Sequence, residues 1–397
     1  MPFAIGPTYA EMEERAGWER GEIYRIGWED GFVHVPRELT GVETSIVVLP
    51  GCRFPVGSLK VGPAYAMVME AERTGRIQPE KNQLVVPSAG NFAVAAAWVA
   101  RHKGYRLVAV SPHEPAPAYI DELHRLGAEF MLAPASGPAA GIRLARELEA
   151  HRDAFVIFPY QDFASYRFHH RVTGGAVLRF AQGPIAAFVA GPGTGGALAA
   201  GDRIKMAHPE ALNVAAEFAS FPVLARQSEA VEPGGVCPLV LNVRGLDRVV
   251  TVEDELVRGV WSHLASAEGL EGIFGPSGAR NVAAAVTIAR AEGFGPDDTI
   301  VTVAPDGVGR HRANLPAAPD PYALGRLREV GEAEVIDVTS PGDHDRVNNQ
   351  KEAFWGQWYS AEFLRELRTG TFWANELSRS REVDSMPYPE QTRLEGF

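Results

Sequence analysis

The chain has 397 residues, 46% of them hydrophobic and 22% charged, and a formal charge of -12 at neutral pH. That length predicts two domains plus an appendage rather than one small core. The negative charge argues against nucleic acid and anionic membrane as partners, and no apolar stretch reaches the roughly 18 uninterrupted residues of a membrane helix.

Two cysteines, Cys52 and Cys237, give no disulfide framework and no zinc cluster, so no metal is expected. The start Met1-Pro2-Phe3-Ala4 lacks the basic segment and apolar centre of a signal peptide, which leads to the expectation of a cytoplasmic protein. A small anionic ligand remains open, because backbone amides bind one without net positive charge.

The first apolar run, Ser45 to Pro50, leads into Arg53-Phe54-Pro55-Val56-Gly57-Ser58-Leu59-Lys60. Only five of the 38 basic residues are lysine, and Lys60 alone enters its element from a Gly-Ser turn. Burial there lowers the pKa of the amine, so that the free base can attack a carbonyl.

From residue 84 strand-like runs alternate with helical patterns. Leu84 to Pro87 reads as a strand, with a helix from about Asn91 to His102 and Gly104 as its C-cap. The series continues as strand Arg106–Val110, helix Ala118–Leu126, strand Phe130–Ala133 and helix Ala139–His151. Ala154–Phe158, Ile185–Ala190, Asn213–Ala216 and Val249–Val252 are further short strands. Helices Asp254–Glu268 and Ser277–Glu292 and strand Thr299–Val303 complete it. Short buried strands separated by helices predict an α/β fold of two doubly wound, mostly parallel sheets. After about Ala317 a Pro-rich stretch opens a C-terminal extension carrying Trp355, Trp358 and Trp373, which packs on the body of the protein or on another subunit.

Four glycine-containing turns follow predicted strands, and in open α/β sheets such ends face the ligand crevice. They are Gly57-Ser58-Leu59-Lys60, Pro87-Ser88-Ala89-Gly90-Asn91-Phe92, Gly191-Pro192-Gly193-Thr194-Gly195-Gly196-Ala197 and Ala304-Pro305-Asp306-Gly307. The third reads as a phosphate cradle ahead of a helix drawn from Gly195 to Ile204. It also satisfies G-x-G-x-x-G, with Glu217 about twenty residues on, so a dinucleotide fingerprint is the competing reading. A tight strand-helix turn without a ligand is the third.

Other polar groups read more plainly. His169-His170 lies on a predicted helix, where adjacent side chains point about 100° apart, and is expected to be core or solvated. Gln161-Asp162 reads as a loop pair or a pocket lining. Arg310-His311-Arg312 reads as an exposed solvated turn, with attraction of an anionic substrate as the alternative.

Taken together the motifs resemble the fold type II pyridoxal-phosphate enzymes, the tryptophan synthase β-subunit superfamily, and within it the cysteine synthase branch. The Schiff-base motif Pro-x-x-Ser-x-Lys is similar to Pro55-Val56-Gly57-Ser58-Leu59-Lys60, and the Ser-Gly-Asn-Thr-Gly loop to Ala89-Gly90-Asn91-Phe92-Ala93. The glycine-rich phosphate loop resembles Gly191 through Ala197, and the closing Pro-Ser-x-Gly turn resembles Pro305-Asp306-Gly307. The likeness runs from about residue 41 to 312, with the four motifs in the family's order.

The resemblance implies pyridoxal 5′-phosphate in a cleft between two domains. It implies an N-terminal segment 1–40 packed on the large domain, a small domain 41–175, a large domain 176–316 and an extension 317–397. Lys60 would carry the cofactor and act as base at the substrate α-carbon. Asn91 would bond the ring oxygen, Gly193, Thr194, Gly195 and Gly196 the phosphate, and Asp306 the pyridine nitrogen. Ser88, Ala89, Gly90 and Phe92 would form the substrate loop. The implied reaction is β-replacement on a small β-substituted amino acid through an aminoacrylate, with a small nucleophile such as a thiol, in a homodimer. β-Elimination is the alternative.

This chain departs from the pattern in three ways. Asp306 stands where a serine or threonine is usual, which favours a protonated ring and a deeper electron sink. Ala89 and Phe92 stand where hydroxyl residues are usual, and Ala197 replaces a threonine. Two readings of other classes remain. A nicotinamide-dependent oxidoreductase built on Gly191–Gly196 and Glu217 leaves Lys60 and Asn91 without a role. A non-catalytic cofactor-binding protein leaves the retained Lys60 unexplained.

Overall fold

The structure is a computed structural model, and it describes residues 31–151, 153–225, 236–319 and 333–375 together with Trp28, Ala323 and Leu377. The expected N-terminal segment 1–40 lies mostly outside these residues. Eleven strands are described: β1 Val33–His34, β2 Ser45–Pro50, β3 Gln83–Val86, β4 Arg106–Ser111, β5 Glu129–Leu132 and β6 Ala154–Val156 in the first half. β7 Ile185–Ala190, β8 Leu212–Phe218, β9 Arg248–Val252, β10 Thr299–Ala304 and β11 Ala333–Asp337 follow.

They form a seven-stranded sheet in the order β1-β2-β10-β7-β8-β9-β11 and a four-stranded sheet in the order β5-β4-β3-β6. The small sheet is wholly parallel, and the large one is parallel apart from its edge strands β1 and β11. The mostly parallel α/β architecture expected from the sequence is thus the one observed. The predicted runs reappear within a few residues. Helix Asn91–Lys103, for example, ends at Gly104, whose φ of 80° only glycine adopts readily.

The division of the chain differs from the expectation. β2, assigned to the small unit, pairs along its whole length with β10 in the large sheet. The chain starts the large sheet, leaves it after Pro50 to build the small one, and returns at β7. β11, assigned to the extension, closes the large sheet beside β9. Both strands are short and their partners lie far away in sequence, so local pattern does not name the sheet.

Central strands are apolar on both faces because helices cover both faces. Ile46, Val48, Val189, Val214 and Val250 face one cluster with the helix Pro276–Ala291; Val47, Leu49, Phe188 and Ala215 face another that runs on to the small sheet.

The extension packs on the body of its own chain. Trp355 is fully buried and Trp373 nearly so, within a third cluster that includes Val85, Val108 and Leu239. Trp355 Nε1 donates to the Cys237 carbonyl at 2.8 Å, and Lys351 Nζ donates to the Leu241 carbonyl. The tail thereby clasps segment 237–241. That segment in turn touches the glycine turn after β7, for a Cβ on Gly195 would lie 3.0 Å from Pro238 Cβ. Among the described residues no helix is long and apolar enough to cross a membrane.

Candidate active site

The four turns leave the C-terminal ends of β2, β3, β7 and β10, and three of those strands are neighbours in the large sheet. After β2 the chain makes two successive left-handed residues, Val56 at φ 53° and Gly57 at φ 64°. A β-branched residue there is strained. The turn is held by its neighbours: Arg310 Nη1 donates to the Val56 carbonyl at 2.8 Å, Leu59 N donates to the Pro305 carbonyl at 2.9 Å, and Ser58 bridges Asp306. Lys60 follows, immediately before the helix Val61–Arg73.

The Lys60 amine is desolvated. Burial pushes it down to about 8, while the Asp306 carboxylate pulls the other way. Its Nζ donates to Thr194 Oγ1 at 3.3 Å, which joins the turn after β2 to the turn after β7. In that second turn Gly193 and Gly195 have φ of 39° and 82°, which breaks the helix expected from Gly195; the observed helix runs Ala199–Ala207. The amides offered here belong to a glycine turn and not to a first helical turn.

This turn is also lined from behind. A Cβ on Gly196 would fall 2.6 Å from Ser165 Oγ and 2.8 Å from His169 Cδ2. Ser165 Oγ and His169 Nε2 are buried without a hydrogen-bond partner. His169 Nδ1 lies 3.0 Å from Thr173 Oγ1, and burial together with the Lys60 charge holds its pKa well below the usual value. Buried Arg280 lies against Gly191, where any side chain would overlap its guanidinium. Burial pulls Arg280 down to about 10, against the charges of Glu217 and Asp306.

The turn after β3 opens the helix Asn91–Lys103, whose N-cap Gly90 offers no side-chain bond, so the first amides of the helix are left open. Ser88 Oγ accepts from Gly90 N at 3.4 Å. Ala89 is buried and the Phe92 ring belongs to the core, so Phe92 contributes backbone to this loop and not bulk to the cleft.

Asn91 reaches across to the large sheet. Its Nδ2 donates to Asp306 Oδ2 at 2.5 Å, and its Oδ1 accepts from Arg310 Nε at 2.9 Å. His311 Nε2 also lies 2.7 Å from Asp306 Oδ2. Asp306 Oδ1 is buried and unpartnered.

The structure therefore brings together Lys60, Asn91, Thr194, the glycines and Asp306, with Ser88, Ala89, Gly90 and Phe92 at one side. Arg310 and His311 are not the exposed turn expected; both are partly buried and bonded into the site. His169, Arg310, His311, Ser165 and Arg280 carry no local sequence signal for this site, because the contact that brings each to it forms only on folding. Glu217 is committed elsewhere: its carboxylate accepts from the amides of Val223, Leu224 and Ala225. It is not open to a ribose, which removes the acidic residue on which the dinucleotide reading depended. Asp162 caps the helix Phe163–Phe168 and Gln161 accepts from Arg146, so neither serves the cleft.

The cofactor implied by the resemblance fits these residues. An orphaned buried carboxylate oxygen suits a protonated ring nitrogen, and a desolvated amine beside a glycine turn suits an aldehyde with a phosphate at its far end. Asn91 fits with one adjustment, since its amide nitrogen is engaged by Asp306.

Comparison with known proteins gives one consistent result. The family model of pyridoxal-phosphate dependent enzymes matches residues 33–306. A cysteine synthase from Staphylococcus aureus (strain N315) is 34% identical over 270 residues, 65% of this chain and 84% of the relative. A probable cysteine synthase from Bacillus subtilis (strain 168) is 30% identical over 264 residues, 64% of this chain and 83% of the relative. The crystal structure of O-ureido-L-serine synthase superposes with a TM-score of 0.65 at 28% identity, over 76% of this chain and 98% of that one. A hydrogen sulfide-producing enzyme from Fusobacterium nucleatum shares the fold, with a TM-score of 0.66 at 22% identity over 73% and 97% of the two chains.

Proposed function

Because the chain belongs to the pyridoxal-phosphate dependent enzymes, we propose that it catalyses β-replacement on a small amino acid bearing a leaving group on its β-carbon. The observation that carries the reading is the buried Lys60 amine, held at the glycine turn by Thr194 and drawn toward neutrality by burial. The relatives named cysteine synthase and O-ureido-L-serine synthase point to a small nucleophile, a thiol in the first instance.

Bound pyridoxal phosphate supplies the electron sink through which the substrate loses its α-proton and its β-substituent. The chain supplies the rest. Lys60 Nζ would hold the cofactor aldehyde and, as a free amine, would take the proton from the substrate α-carbon. Burial pushes the amine down to about 8, which favours the free base that both tasks need. The amides of Gly193, Thr194, Gly195 and Gly196 would hold the phosphate, Asp306 would face the ring nitrogen and Asn91 would orient the ring. The open amides at the start of the helix Asn91–Lys103, with Ser88, Ala89, Gly90 and Phe92, bind the substrate carboxylate.

On this reading the protein works in the cytoplasm, where its two free thiols stay reduced, and as a homodimer. Its mass in solution tests the second point.

The experiment is direct. Purified protein should be yellow, and borohydride should fix the cofactor to the peptide carrying Lys60. A panel of β-substituted alanines crossed with thiols should yield new carbon–sulfur bonds. Keto acid and ammonia in their place would make elimination the reaction. A colourless protein that takes up no pyridoxal phosphate would end the proposal.

A further inference from the structure

Asp306 departs from the family pattern, and the structure shows what accompanies the departure. His311 comes five residues later, in the 3-10 turn Gly309–Asn314, and folds back over the carboxylate. Its ring stands edge-on to Trp261, with centroids 6.4 Å apart, and its side chain is 20% exposed against 7% for Asp306. Nε2 lies 2.7 Å from Asp306 Oδ2. The same oxygen accepts from Asn91 Nδ2 at 2.5 Å, so both donors sit on one side of the carboxylate.

Oδ1 is left buried and without a partner, the arrangement that costs most if nothing fills it. The backbone beneath is fixed by the Ser58 bridge and by Gly275 N donating to the Asp306 carbonyl at 2.9 Å. Gly275 also makes room, for a Cβ there would fall 2.5 Å from Oδ1 and 3.1 Å from His311 Cδ2. The charged groups facing the carboxylate are Lys60 and Arg280.

We propose that His311 is a positioning residue: by donating from Nε2 to Oδ2 it turns the Asp306 carboxylate so that Oδ1 alone addresses the ring nitrogen of bound pyridoxal phosphate. The inference rests on the site reading above and names the residue that makes an aspartate usable where the family has a hydroxyl. Asn91 cannot do this alone, because its amide is also bonded to Arg310 and is the group expected to turn toward the ring oxygen.

The test compares two ligands of the same shape. Full-length protein freed of cofactor is titrated with pyridoxal 5′-phosphate and with its 1-deaza analogue, in which carbon replaces the ring nitrogen. The ratio of the two apparent dissociation constants reads only what addresses that nitrogen. Wild type should prefer the natural cofactor. His311→Leu should lower the preference about tenfold, the worth of one hydrogen bond to a charged group. His311→Gln, whose amide nitrogen can donate from a similar place, should restore most of it, and Asp306→Ala should abolish it.

A wild-type ratio in His311→Leu, with the preference lost in Asp306→Ala, would overturn the role of His311 and leave that of Asp306 intact. A wild-type ratio in both would sink the Asp306 reading itself. If the leucine variant does not fold, His311→Asn, too short to reach Oδ2, replaces it and the same ratio decides.

Discussion

Asn91 and Asp306, 215 positions apart, share a 2.5 Å hydrogen bond that ties the first residue of a helix on the four-stranded sheet to the end of β10 in the seven-stranded sheet. Arg310 takes the other end of the same amide. Removal of the amide in Asn91→Ala leaves a partly buried guanidinium and a buried carboxylate each one partner short. The cofactor-free variant should lose about 1–3 kcal/mol of stability, read as a lower urea midpoint at unchanged slope. An unchanged midpoint would mean that the bond across the cleft contributes nothing.

Lys60 gives a prediction with a definite pH window. The ordinary lysine value is 10.5 and the folded value about 8, so between them the unfolded chain holds a proton that the folded chain does not. Wild-type stability from this group therefore rises with pH from about 8 to 10.5. Below that window the buried ammonium destabilises the cofactor-free fold by something on the order of 3 kcal/mol. Lys60→Met should be the more stable protein at pH 7, with an advantage that fades toward pH 10.5. A difference independent of pH would contradict the desolvated amine.

Two glycines of the site separate space from backbone. Gly196→Ala drives a methyl group toward Ser165 Oγ and His169 Cδ2 and should cost about 1–3 kcal/mol, with weaker cofactor retention. Gly90 has open space around its Cα and a φ of -96°. Gly90→Ala should shift stability by less than about 1 kcal/mol while raising KM for the amino-acid substrate, if that loop binds it. Thermal melts and steady-state kinetics of the pair check both. Equal melting temperatures for the two variants would remove the case for a crowded Gly196.

Trp355 has no exposed surface and bonds the Cys237 carbonyl. Trp355→Ala should cost about 3–5 kcal/mol. If the clasp on segment 237–241 reaches Gly195, the variant should also release cofactor faster, which decay of the visible absorbance on dilution would follow.

The elements were legible because each carries its own periodicity. Runs such as Ile185–Ala190, and Arg106–Val110 after its first residue, are short and apolar on both faces, as buried strands are. The four turns were legible because glycine and its neighbours mark them locally, and Lys60 because lysine is scarce. What was not legible was what crosses the chain. The partner of β2 lies in β10, some 250 residues on, and β11 joins the large sheet from beyond the Pro-rich stretch. His169 meets Gly196 only after folding. Arg310 and His311 look solvated in sequence because a short basic run next to glycine usually is. The place of the Phe92 ring was not legible because a residue at a helix start can face either way, and the core took it.

Segment 237–241 is gripped from outside the family match, by Lys351 and Trp355, and it leans on Gly195 inside that match. The family unit of this protein is therefore not a detachable module. Trimming the chain at residue 316 to resemble a minimal enzyme, or grafting its catalytic half onto another scaffold, would remove the buttress behind the turn assigned to the phosphate. Any shortened version needs a substitute for those two anchors before its loss of colour or turnover says anything about chemistry.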